Sequence, residues 1–168
     1  MIPITSLYGE LAVEFYKHPL LRELIFPVCE CLCAYITLYN KIVYYPLVLH
    51  VIEQLIAIME KTAVRFSVCK PLMNLLKTKH LTSAKNAWRK LTFEFEIKAR
   101  LSKEHIEDKY FWMSFAERVL FLLERYLLII IYEPYFSSFA NCLRRTLRFL
   151  LKNRIPLETK KSVVRLVI

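Results

Sequence analysis

Residues 40–55 read Asn40-Lys41-Ile42-Val43-Tyr44-Tyr45-Pro46-Leu47-Val48-Leu49-His50-Val51-Ile52-Glu53-Gln54-Leu55, or NKIVYYPLVLHVIEQL. A proline stands inside an apolar run, and a histidine stands among aliphatic side chains. Proline in the first helical turn has no hydrogen bond to lose, and its φ is already helical. Pro46 therefore starts a helix, which the pattern predicts to run to about Lys61. On that helix His50, Glu53, Gln54, Glu60 and Lys61 form one narrow polar stripe, and everything else is apolar or small. Such a helix must be covered on most sides. His50 lies on the stripe one turn before Glu53 and Gln54, which fits a hydrogen-bonded histidine at a helix interface.

The same arrangement recurs along the chain. Pro19, Pro27, Pro46, Pro71 and Pro134 each stand at or near the head of an apolar run with helical spacing, and so mark helix starts. Pro27 to Pro46 is 19 residues and Pro46 to Pro71 is 25, so two helix starts take 44 residues. That lies within the span of about 40 to 47 for HEAT or armadillo helix pairs. With a single glycine, Gly9, the chain is poor in the residue that hairpins and phosphate loops need for positive φ. The expectation is an all-α fold: one domain over residues 1–168, a short HEAT/armadillo-like α-solenoid with a basic loop in its middle. That loop spans about Lys77 to Lys103 and includes LTFEFEIKA, whose alternation suggests an extended or irregular piece.

Two later helices are distinctive. From Tyr110 to Tyr132 only Ser114, Glu117, Arg118, Glu124 and Arg125 interrupt an apolar run, as in a central helix or one covered by a partner chain. From Pro134 to about Asn153, Phe136, Phe139, Ala140, Leu143, Leu147, Leu150 and Leu151 recur at three- and four-residue spacing, while Arg144, Arg145, Arg148 and Lys152 take the other side. A short terminal helix from Leu157 to Ile168, with Lys160, Lys161 and Arg165 outward, completes the predicted set.

Charge divides the chain. Residues 1–76 hold six basic and six acidic side chains, so the whole formal charge of +10 lies after residue 76. A surface so biased suits a polyanion, nucleic acid or anionic lipid headgroups. Every apolar run long enough to span a bilayer is interrupted by charge, which argues against a membrane span. A peripheral protein that meets anionic lipid through its basic face is the alternative reading.

The chain offers no chemistry of its own. Cys29, Cys31, Cys33, Cys69 and Cys142 are odd in number and follow no recognisable secretory signal, which points to reduced thiols in the cytosol or nucleus. CECLC at 29–33 lacks the second half that a zinc site needs, and Cys29 and Cys33 share a helix face as small core residues do. Cys69, His50 and Glu53 are residue types found in nucleophilic catalysis, but nothing in the sequence places Cys69 beside the other two. No catalytic residue, metal or cofactor is expected, and the chain reads as a non-enzyme. The candidate RNA contacts are Lys77, Lys79, Lys85, Arg89 and Lys90 on the loop, with Arg144, Arg145, Arg148 and Lys152 on the helix. They would neutralise phosphates with little regard to sequence. Trp88, among the loop charges, is a candidate stacking platform or a plain core anchor.

Residues 23–76, ELIFPVCECLCAYITLYNKIVYYPLVLHVIEQLIAIMEKTAVRFSVCKPLMNLL, resemble the nucleolar complex protein 2 family. The resemblance rests on Phe26-Pro27, on Tyr44, Tyr45, Pro46, Leu47 and His50, and on Pro71-Leu72. It continues through the basic Lys85 to Lys90, Phe93 to Phe95, Leu101-Ser102-Lys103, and the helices Tyr110 to Tyr132 and Tyr132 to Asn153. Its extent matches the C-terminal core of that family. The resemblance implies a non-enzymatic nuclear and nucleolar factor in assembly of the large (pre-60S) ribosomal subunit. It further implies a HEAT-like solenoid that binds a related nucleolar complex protein (1 or 3) and rides on pre-rRNA.

Overall fold

The structure, a computed structural model, describes residues 2–78 and 100–152. Most of the expected basic loop, the LTFEFEIKA segment and the expected helix from Leu157 to Ile168 lie outside the described residues. Within them the protein is all-helical: seven α-helices, two 3₁₀ turns and no strand. They fall into two compact units, one of residues 2–68 with 100–101, the other of residues 69–78 with 102–152.

The first unit holds α1 (Ile2–Lys17), α2 (Ile25–Leu38) and α3 (Tyr45–Lys61), each packed on the other two. Pro46 occupies the first turn of α3, as its sequence setting predicts. Eleven of the 17 residues of α3 are buried, among them Leu47, Val51, Ile52, Leu55, Ile56 and Ile58 at 0% exposure. Burial of one such side chain contributes roughly 1.5 to 3 kcal/mol. Ile42–Lys61 is long and apolar enough to cross a membrane, as a core helix can also be, and most of its apolar side chains are buried within the protein.

Helix α1 packs by an inverted pattern. Its buried residues are the small ones, Thr5, Gly9 and Ala12, spaced four and three apart on one face, while Ile4 and Leu7 stay exposed. Gly9 leaves room that the Gln54 carboxamide of α3 fills: a Cβ at this position would meet that group and stand 3.4 Å from Gln54 Cβ. Glycine lets the two helix backbones approach where a larger residue would hold them apart.

The links are made without further glycines. Pro19 does not start a helix: residues 18–21 form a turn, and Arg22–Leu24 is a 3₁₀ turn. His18, Leu21 and Leu24 donate their N–H groups to Phe15, His18 and Leu21, a run of i→i−3 bonds at 3.2, 3.0 and 3.0 Å. The chain has only seven residues between α1 and α2 in which to reverse, and the tighter bonding pattern achieves this. Between α2 and α3, Tyr44 meets Tyr39 edge-on at 5.0 Å and Tyr39 stacks on Tyr35 at 5.7 Å. The Val43 carbonyl accepts the Leu101 N–H at 2.8 Å, tying a distant stretch of chain to the α3 entry. At the far end of α3, Thr62 Oγ1 donates to Ile58 O at 2.8 Å, and Arg65 Nη1 donates to Met59 O and Thr62 O at 3.0 and 2.9 Å. These groups satisfy carbonyls that the helix itself leaves open.

The second unit holds α4 (Cys69–Leu76), α5 (Lys103–Glu107), α6 (Lys109–Ile130) and α7 (Phe136–Lys152). Pro71 lies in the first turn of α4, and Pro134 lies in the turn that precedes α7. Helix α4 packs on α6 and α7. Ser102 and Asp108 cap α5 and α6, their side-chain oxygens accepting the His105 and Tyr110 N–H groups. Trp112 is buried at 1% exposure, and its Nε1 donates to Ile106 O at 2.8 Å, so the indole anchors α6 with no polar atom left over. Phe111, Trp112 and Phe115 form an aromatic cluster at centroid distances of 5.3 to 6.1 Å.

Candidate nucleic-acid interface

Helix α7 carries most of the candidate contacts that the structure describes. Its apolar side is fixed by burial of Phe139, Ala140, Leu143 and Leu147, with Thr146 beside them. Tyr126 of α6 meets Phe139 edge-on at 5.9 Å. The turn before α7 is closed by Glu133 N–H to Ile130 O at 2.9 Å and Phe136 N–H to Glu133 O at 3.0 Å. Anchored in this way, the helix presents Arg144, Arg145 and Arg148 on one exposed face, continuing the polar Ser137, Ser138 and Asn141. Of its 17 residues four are basic and none is acidic, so no neighbour on the same helix offsets the field of the arginines. Three guanidiniums at spacings of one and three residues can each donate to a phosphate oxygen.

Lys77, just past the end of α4, is also exposed. The structure places it in the same unit as α7. Lys79, Lys85, Trp88, Arg89 and Lys90 lie outside the described residues, as does the side chain of Lys152.

The remaining candidates for chemistry take structural places. His50 Nε2 and Ser6 Oγ lie 3.0 Å apart, so the histidine joins α3 to α1. Its partner from α1 was not legible in the sequence, where only Glu53 and Gln54 suggested themselves. Burial pushes the Cys69 thiol up to about 12, with the neighbouring Cys142 adding to the effect, and burial pushes Cys29 up to about 12 as well. A thiol held protonated in this way is a poor nucleophile and a poor metal ligand. Cys31 and Cys142 are exposed. Among the described residues no three His, Cys, Asp or Glu side chains cluster as a metal site would require.

What these observations define is a helical protein whose first unit is built around a buried central helix and whose second unit bears an acid-free basic helix face. The chain belongs to the Noc2p family, whose profile matches residues 7–168. That family is one of nucleolar ribosome biogenesis. No curated protein matches the chain. The family resemblance read from the Phe26-Pro27, Tyr44-to-His50 and later motifs is therefore borne out along almost the whole sequence. Several of its residues have visible physical roles: Phe26 meets Phe66 edge-on at 6.1 Å, Tyr44 clasps the end of α2, His50 binds across to α1, and Ser102 caps α5.

Proposed function

We propose that this chain is a non-enzymatic scaffold of the nucleolus that binds pre-rRNA through its basic half and a related nucleolar complex protein (1 or 3) through its neutral half, during pre-60S assembly. The observation that carries the RNA part is the exposed, acid-free arginine face of α7. The Noc2p family match supports the ribosomal setting. In this reading the helices belong to a HEAT/armadillo-like solenoid. It is supported by the first unit, where α1 packs on its neighbour α2 and on its next neighbour α3, the packing that a stack of helix pairs requires.

The RNA part is tested by titrating a fluorescent pre-rRNA fragment at several salt concentrations with the native chain and with Arg144→Ala/Arg145→Ala/Arg148→Ala. The triple variant binds more weakly, and its log K falls less steeply with log salt, the slope shrinking by up to about 0.7 to 0.9 for each phosphate that is no longer neutralised. An unchanged slope removes α7 from the interface. Liposomes of anionic lipid serve as the competing surface: retention on them with no RNA affinity favours the lipid reading. The protein part is tested by co-expression with the related nucleolar complex protein, where failure to co-purify counts against it.

A further inference from the structure

The turn that leads into α7 holds out an aromatic ring. Helix α6 ends at Ile130, and Tyr132 in the turn beyond it is 95% exposed, the most exposed aromatic side chain among the described residues. The turn is braced by the Glu133 N–H to Ile130 O and Phe136 N–H to Glu133 O bonds, at 2.9 and 3.0 Å, and by Pro134, whose φ is fixed. Aromatic side chains stabilise a fold by burial, as Trp112 and Tyr126 do in this unit. A ring left in water on a braced turn contributes little of that kind, and it is already in place for a ligand.

The face that follows suits a nucleic-acid strand. Ser137, Ser138, Asn141, Arg145 and Arg148 are all exposed, and at about 100° per residue they fall within an arc of about 100°. From the start of α7 to Arg148 is about 18 Å along the helix, the length of about five stacked nucleotides. Serine and asparagine bond to sugar and phosphate oxygens, and arginine to phosphate. The order from the turn onward is therefore aromatic, neutral polar, basic. Glu133, next to Tyr132 in the chain, repels phosphate, so the ring suits a base better than the backbone. Among the described residues of α7 no exposed side chain is aliphatic or aromatic, which leaves a protein partner no apolar area beyond the ring.

We propose that Tyr132 is a base-stacking residue and that the strand held by α7 is unpaired RNA: one base lies on the Tyr132 ring, and the neighbouring phosphates run along the helix to Arg145 and Arg148. In an A-form duplex the bases are paired and stacked inside, out of reach of a ring on a protein surface, whereas a base of a single strand can turn outward and stack. This inference rests on the RNA reading of α7 and names the form of RNA it takes.

The test uses the full chain and a fluorescent RNA of about ten nucleotides without self-complementarity, within the usual site sizes, given either alone or annealed to its complement. Tyr132→Ala weakens binding of the single strand by about five- to a hundredfold and leaves duplex binding unchanged. Its salt dependence stays that of the native chain, because no phosphate contact is lost, and circular dichroism shows the helix content unchanged. Tyr132→Phe keeps the ring and binds as the native chain does, while Tyr132→Leu, which keeps apolar bulk without a π face, binds as weakly as Tyr132→Ala. Single-strand affinity retained by Tyr132→Ala or by Tyr132→Leu overturns stacking; if the triple arginine variant still loses affinity and salt dependence, the RNA reading of α7 stands without it. A native chain that binds neither form of RNA overturns both. Loss of co-purification with the related nucleolar complex protein in Tyr132→Ala, with RNA affinity intact, assigns the ring to a protein surface and overturns the proposal.

Discussion

Helices α3 and α7 each have 17 residues, and the two use them in opposite ways. Helix α3 encloses nearly all of its side chains, and its polar stripe includes a histidine that is itself buried at 7% exposure. Helix α7 buries one face and turns three arginines outward. Substitutions at the buried positions of α3 therefore act on stability, because a change there alters packing or strands a polar group. On the proposed reading, substitutions of Arg144, Arg145 and Arg148 act on recognition, because these side chains are exposed rather than part of the core. Variants that make one helix behave like the other break this contrast.

The largest effect is expected from the centre of α3. Leu55→Ala removes a side chain that is fully enclosed, leaving a cavity that the surrounding helices cannot close. It lowers unfolding stability by about 2–5 kcal/mol, measured by urea denaturation. A loss below about 1 kcal/mol would mean that this site collapses as a surface site does.

Next comes the approach of α1 to α3. At Gly9 an alanine forces the Gln54 carboxamide aside, but that group ends a flexible side chain, and alanine gains up to about 1 kcal/mol in helix propensity. Gly9→Ala is therefore close to neutral. Gly9→Val adds branches near Gln54 Cβ, which cannot withdraw, and costs about 1–3 kcal/mol by overpacking. Equal stabilities for the two variants would show that the helix spacing is not set by Gly9.

How much of this is readable from sequence differs between the same regions. Helices α3 and α7 are legible because a proline stands at or just before the start of each and apolar spacing marks a face. The arginine face of α7 follows directly, since exposed charge needs no knowledge of tertiary partners. Helix α1 leaves no such trace: it buries Thr5, Gly9 and Ala12 and exposes Ile4 and Leu7, the reverse of what hydrophobic periodicity reports. Pro19 misleads for a related reason, because PLLREL has the composition of a helix start but sits where the chain must reverse. Contacts between distant residues, Ser6 with His50 and Leu101 with Val43, have no local signal at all.

The Ser6–His50 contact gives the third effect. Ser6→Ala removes the hydroxyl from His50 Nε2 and leaves that nitrogen without this partner in a part-buried interface. The expected loss is about 1–2 kcal/mol, of the size seen when one side of a buried hydrogen bond is deleted. His50→Leu together with Ser6→Ala replaces both polar groups, and recovers part of the loss if the contact is the reason for it. A double variant less stable than Ser6→Ala alone would assign His50 a further role in holding α3.

The smallest stability effect belongs to the outer face of α7, and there the sign requires two opposing terms. Arg144 and Arg148 stand four residues apart, a like-charge spacing that weakens a helix by about 0.2–0.5 kcal/mol. Arg144 stands at the midpoint of the helix and Arg145 beside it, while Arg148 is nearest the C-terminal, negative end of the dipole and gains at most a similar amount. Arginine and alanine are both strong helix formers, so propensity adds little. Arg144→Ala/Arg145→Ala/Arg148→Ala should therefore change stability by no more than about 0.5 kcal/mol while lowering RNA affinity. That combination, recognition weakened with folding intact, is what separates an outward face from an inward one. A triple variant that unfolds would place these arginines with the side chains of α3, as part of what holds the protein together.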